Sequence, residues 1–138
     1  MKDVDISKWD VSSGEIFNRM FMFTTNCNID ISEWDVSSGE DFSAMFYGNT
    51  SFNGDLSKWN VSSGVNFNNM FNGCRSFNCD LSRWKCTSGQ SFNNMFCECT
   101  SFNQSFTWVL HSKEVTNMFH NCPLGVNIQS PIITIIKI

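Results

Sequence analysis

The sequence predicts an α/β fold, a right-handed solenoid of about five coils with one short strand and one short helix in each. Three observations predict it. Nearly the same phrase returns every 25 residues, as in "SEWDVSSGEDFSAMFYGN", "SKWNVSSGVNFNNMFNGC" and "SRWKCTSGQSFNNMFCEC". One half of each phrase carries apolar residues at helical spacing, for example Phe67, Met70, Phe71 and Cys74. The other half, "DLSKWNV" at 55–61, holds β-type residues in partial alternation.

The coils run 2–26, 27–51, 52–76, 77–101 and a shortened 102–124, in a single domain of 138 residues with a tail at 125–138. A unit this short cannot bury its apolar face alone, so repetition implies stacking. The columns give the expected core: Trp9, Trp34, Trp59 and Trp84; Met20, Met45, Met70 and Met95; Phe21, Phe46, Phe71 and Phe96. Ser12 with Glu15, Ser37 with Glu40, and Thr87 with Gln90 match the spacing of capping boxes, which would start each helix. Gly48 and Gly73 stand where a left-handed residue would end it, as does Asn121, while Phe23 and Glu98 suit that place poorly. Leu56, Trp59 and Val61 cannot all obey a period of two, so the strand is expected to be short and bent. The alternative is a β-solenoid, against which the capping boxes count.

"SFNGDLSKWNVSSGVNFNNMFNGCRSFNCDLSRW" resembles the repeat of the BspA-like leucine-rich-repeat surface proteins, known from mycoplasma- and listeria-type surface lipoproteins. The shared pattern is Phe-Asn-x-Asp-Leu-Ser-x-Trp-x-Val-Ser followed by an amphipathic stretch ending Met-Phe-x-Gly, and it covers residues 2–122. The chain departs from it at "SSG" (Ser13-Gly14, Ser38-Gly39, Ser63-Gly64, Ser88-Gly89). The resemblance implies a leucine-rich-repeat-like scaffold displayed at the cell surface or outside the cell, often adhesive, with no catalytic residues to carry over.

Composition excludes several classes. Nine basic residues against thirteen acidic ones form no basic cluster, which argues against nucleic acid. No run approaches the roughly 20 apolar residues that span a bilayer. No signal peptide precedes the first repeat, so the expectation is either a cytoplasmic protein or a fragment of a longer exported chain. Seven cysteines, an odd number in no disulfide-framework spacing, suggest a reducing compartment.

Each candidate for chemistry has a structural competitor. Asp5, Asp30, Asp55 and Asp80 form a column that could line up carboxylates for cations, or serve as Asx-turn acceptors. Asn28, Asn53, Asn78 and Asn103 form an amide ladder, continued by Asp3 in the first coil. Cys97, Cys99, His120 and Cys122 offer four soft ligands for zinc, although residues two apart on a helix diverge and Cys99 shares an inward column with Cys74. A disulfide between Cys74 and Cys99, or between Cys99 and Cys122, is the other reading of that column. Serines recur with the period as turn residues, and no cofactor motif or catalytic constellation stands out.

With tryptophan inward, the polar neighbours remain to meet a partner: Lys8, Glu33, Lys58 and Arg83 in one column, Asp10, Asp35, Asn60 and Lys85 in another. The expected function is a non-enzymatic scaffold for protein binding or surface adhesion. Its alternatives are a structural assembly subunit that stacks through its solenoid ends, as a homo-oligomer, and a small metal-binding module. The apolar tail "PIITIIKI" is expected to be a cap or an added strand.

Overall fold

A computed structural model describes residues 4–25, 29–106, 108–112, 114–123 and, for the backbone alone, 133–135. The 25-residue units stack in register, but the expected α/β solenoid does not form. None of the stretches 17–23, 42–48, 67–73 and 92–98 is a helix; each runs as consecutive tight turns.

The backbone bonds show why. In the second unit the N–H groups of Phe42, Ala44, Phe46 and Gly48 donate to the carbonyls of Asn66, Asn68, Met70 and Asn72 in the third, at 2.8–2.9 Å. The N–H groups between them, of Met45, Tyr47 and Asn49, donate back within the unit to Phe42, Ala44 and Phe46 at 2.9–3.3 Å. The intervening carbonyls of Ser43, Met45 and Tyr47 accept from Arg19, Phe21 and Phe23 of the first unit. Every second backbone group thus turns to a neighbouring unit and the rest close turns, so none is left to waste when buried.

This alternation needs left-handed residues four apart in each unit. They are Arg19, Ala44, Asn69, Asn94 and Asn117 (φ 52–59°), and then Phe23, Gly48, Gly73, Glu98 and Asn121 (φ 55–80°). A left-handed residue every four positions breaks a right-handed helix. Gly48 and Gly73 adopt it without a steric penalty, and asparagine tolerates it better than most residues. Phe23 and Glu98, unsuited by type, adopt it as well. The turns still bury Phe42, Met45, Phe46 and Asn49, the same i, i+3, i+4, i+7 set that a helix would bury.

The capping boxes are not formed either. The Ser12 and Ser37 hydroxyls donate to Asp10 and Asp35, while the Glu15 carbonyl accepts the N–H groups of Glu40 and Asp41 at 2.8 and 3.1 Å. Nor, among the described residues, are there continuous sheets of a β-solenoid: parallel pairing between the first four units there is confined to isolated bridges joining Ile16, Asp41, Asn66 and Ser91. Two turns replace the expected strand in each of the first four units, as where Trp59 N–H meets the Leu56 carbonyl and Gly64 N–H meets that of Val61. Gly64 belongs to the "SSG" departure and is buried. A Cβ there would stand 2.9 Å from the Val61 oxygen and run into the Phe67 ring.

Aromatic ladders fill the interior. Phe17, Phe42, Phe67 and Phe92 stack at 5.3–5.6 Å, and Phe21, Phe46, Phe71, Phe96 and Phe119 at 5.4–5.6 Å. Each such pair contributes about 0.5–1.5 kcal/mol beyond burial. The first unit has a neighbour on one side only among the described residues. Trp9 is therefore 54% exposed and Met20 43%, where core positions were expected, and Val4, Ile16 and Phe23 are exposed beside them.

The two three-residue strands lie at the other end. Strand β1 (Trp108–Leu110) pairs in parallel with β2 (Ile133–Ile135), Trp108 opposite Ile133. The remainder of the expected cap at 125–138 lies outside the described residues, as do Asp3 and Asn28.

Candidate functional site

The turns fix which side chains reach solvent. At the turns 31–34, 56–59 and 81–84, and at Trp108 in β1, the tryptophan goes inward and its indole N–H finds a carbonyl one unit away. Trp34 donates to Ile6, Trp59 to Ile31, Trp84 to Leu56 and Trp108 to Leu81, all at 2.8–3.0 Å. The flanking residues are thereby forced outward. Lys8, Glu33, Lys58 and Arg83 are exposed on one side of the tryptophan ladder, and Asp10, Asp35, Asn60 and Lys85 on the other.

These columns form one strip whose sign changes along the stack. The second unit presents Glu33 and Asp35, the third Lys58 and Asn60, the fourth Arg83 and Lys85. Lys58 Nζ approaches Glu33 Oε1 at 3.8 Å where the sign reverses. Both groups are well exposed, so that pair contributes at most about 1 kcal/mol. An open hollow of about 560 Å³ lies between the turns, lined by Lys58, Asn60, Ser62, Arg83 and Lys85 with Trp59 and Val61 at its floor. A second of about 470 Å³ adjoins it across Arg83 and Lys85, reaching Thr87 and Val109. Sequence reasoning found the charged columns but not the hollows, whose walls Ser62 and Thr87 carry no signal beyond their place beside the columns.

The aspartate column sits beside the strip and is engaged locally. Asp30 and Asp55 each accept both the N–H and the hydroxyl of the serine two residues on, at 2.6–3.1 Å. Asp5 and Asp80 accept the N–H of Ser7 and Ser82 at 2.9 Å. These bonds hold the carboxyls of Asp5, Asp30, Asp55 and Asp80 below their ordinary value of 3.8, with Lys58 helping at Asp55 and Arg83 at Asp80. The geometry is that of Asx turns. Of the amide ladder, the Asn53 and Asn78 carbonyl oxygens accept the backbone N–H of Asn78 and Asn103, each at 2.9 Å.

The four soft-ligand candidates diverge. Cys99 is buried and its S–H donates to the Phe71 carbonyl at 2.9 Å; Cys122 is buried with its thiol toward the Phe102 carbonyl at 3.5 Å. Cys97 is half-buried and His120 exposed. Among the described residues, no three His, Cys, Asp or Glu side chains come together as a metal site. Cys74 and Cys99 share a column but are free thiols, Cys74 donating to the Phe46 carbonyl at 2.9 Å. Each thiol points at a carbonyl of the unit before it, so the expected disulfide between them is not formed. Burial pushes both thiols far up, and that of Cys86 to about 12, which leaves them poor nucleophiles and poor metal ligands.

Among the described residues no helix is long and apolar enough to cross a membrane. The family model described as "Mycoplasma protein of unknown function, DUF285" matches residues 2–63 and 18–130. The chain matches no curated protein and no solved structure.

Proposed function

We propose that this chain, which belongs to the DUF285 family of mycoplasma proteins of unknown function, is a non-enzymatic scaffold that binds a protein partner through the charged strip. One observation carries the reading. What the units share is spent on the core and its turns, while the exposed residues flanking the tryptophans change charge from unit to unit along one strip bordering the hollow at Lys58, Arg83 and Lys85. A repeat scaffold positions variable side chains on a constant frame, which suits recognition better than catalysis. Resemblance to BspA-like surface proteins supports display at the cell surface and a role in adhesion.

The test is capture from the native environment by the immobilised chain, with the K58E/R83E/K85E variant alongside. Arg75, exposed outside the strip, supplies the control R75E. A partner kept by R75E and lost by the triple variant is expected. A partner held equally by all three contradicts the reading.

A second reading, an assembly subunit that stacks through its ends, is favoured by the exposed apolar face at Val4, Trp9, Ile16 and Phe23. Light scattering over a concentration series tests it. Growth in multiples of 15.8 kDa is expected, and a constant mass contradicts it.

A further inference from the structure

The strip is not merely charged; it is bipolar. Going up the stack it passes from Glu33 and Asp35 to Lys58, then to Arg83 and Lys85. The polarity extends beyond the strip: residues 1–50 carry nine acidic and three basic side chains, residues 51–138 four acidic and six basic. Asp55 and Asp80, whose carboxyls Lys58 and Arg83 help to hold down, already accept hydrogen bonds from Ser57 and Ser82. Among the described residues the exposed large apolar side chains lie in the first unit and at Val109, so attraction at the strip has to come from charge and hydrogen bonding.

A bipolar strip selects against uniform polyanions. A nucleic acid or sulfated glycan lying along the column would gain at Arg83 and Lys85 and then run onto Glu33 and Asp35, where like charges cost binding. An acidic block confined to the third and fourth units, followed by a basic block over the second, meets complementary charge along its whole length. Units repeat about every 5 Å and an extended peptide advances ~3.3 Å per residue, so about three residues run from the second unit to the fourth and an octapeptide crosses the reversal with residues to spare at each end. The Arg83 guanidinium can hold a carboxylate through two parallel N–H bonds.

We propose that the strip binds an extended polypeptide segment in which an acidic block adjoins a basic one, the acidic block lying in the hollow at Lys58, Arg83 and Lys85. This rests on the scaffold reading and gives its partner a chemistry.

Fluorescence anisotropy of the full chain with three labelled octapeptides tests it: four Glu then four Lys, the same composition alternating, and eight Glu. The block peptide should bind at least about tenfold tighter than either of the others and weaken as salt rises. The triple variant K58E/R83E/K85E should lose it. E33K/D35K, which removes the acidic charge of the second unit and leaves the strip basic from there to the fourth, should invert the preference toward eight Glu. That inversion reports on specificity in a chain whose buried-tryptophan fluorescence shows it folded. Equal binding of block and alternating peptides, tighter binding of eight Glu or of heparin to the unaltered chain, or no binding at all overturns the proposal. So does self-association that displaces the peptide, which would give the strip to a second copy. If captured partners vanish with the triple variant while the peptides show no preference, the bipolar segment fails and the scaffold reading stands.

Discussion

The indole N–H of Trp59 donates to the carbonyl of Ile31, 28 residues earlier in the chain and 3.0 Å away in space. The same bond recurs from Trp34 to Ile6 and from Trp84 to Leu56. It ties each unit to the one before it, and by drawing the indole inward it sets the flanking charges outward.

Replacing Trp59 by phenylalanine keeps the aromatic packing and removes this donor, leaving a buried carbonyl without its partner. The expected cost is about 1–3 kcal/mol, read from the urea midpoint. Trp9, in the same column but 54% exposed, should tolerate the same change within about 0.5 kcal/mol. Equal losses at both positions would show that the inter-unit bond contributes nothing.

Asn49 is a misfit. It is fully buried, and neither its amide nitrogen nor its oxygen has a hydrogen-bond partner. The next two units place Cys74 and Cys99 in its column, each donating its S–H to a carbonyl of the unit before. The substitution Asn49→Cys should therefore stabilise the chain by about 1 kcal/mol or more, because it removes an unsatisfied buried amide. A fall in the denaturation midpoint would contradict this.

Ala44 separates the turn structure from the helix that the sequence suggests. In a helix, Ala44→Gly costs about 1 kcal/mol. At φ 53° alanine is strained and glycine is not, so the same change should leave stability unaltered or raise it by up to about 1 kcal/mol. Chemical denaturation decides between the two signs.

The pH range of stability follows from two sets of groups. The carboxyls of Asp10, Asp30, Asp35, Asp55 and Asp80 are lowered by serine hydrogen bonds. A depressed acid stabilises the fold above its unfolded value, here 3.8, and that contribution is lost as pH falls through the folded value. Buried thiols act oppositely. Cys86 is raised from 9.0 to about 12, so its contribution is complete below 9.0 and is lost as pH climbs toward 12. The melting temperature should form a plateau with an acid limb below about 4 and an alkaline limb above about 9. Asp35→Asn, which keeps the acceptor as Asn60 does toward Ser62, should soften the acid limb alone. An unchanged acid limb in that variant would remove Asp35 from the account.

The sequence made the period, the columns and the inward tryptophans legible, because burial repeats with the chain and each column keeps its residue type. It misled at 42–48. There, alternating turns bury Phe42, Met45 and Phe46 as a helix would, so apolar spacing alone cannot tell them apart. The discriminating signal was present in the left-handed positions. Asn69, Asn94 and Asn117 occupy one of them, and Gly48, Gly73 and Asn121 the other, four residues later. Two glycine-or-asparagine sites four apart are costly in one helix and natural in a chain of turns. The Ser–Glu spacing likewise mimicked a capping box, whereas Ser12 and Ser37 serve the aspartates two residues before them. The charged columns were readable by elimination. The hollows between them depend on how neighbouring turns abut, which no single unit encodes.

The most direct test of the central claim is the detection of NMR couplings across hydrogen bonds, from amide nitrogen to carbonyl carbon, in the labelled chain. The structure predicts couplings from Phe42 to Asn66, from Ala44 to Asn68 and from Phe46 to Met70, each between neighbouring units. Couplings from Phe46 back to Phe42 and from Gly48 back to Ala44, with none between units, are the helical pattern and would contradict it.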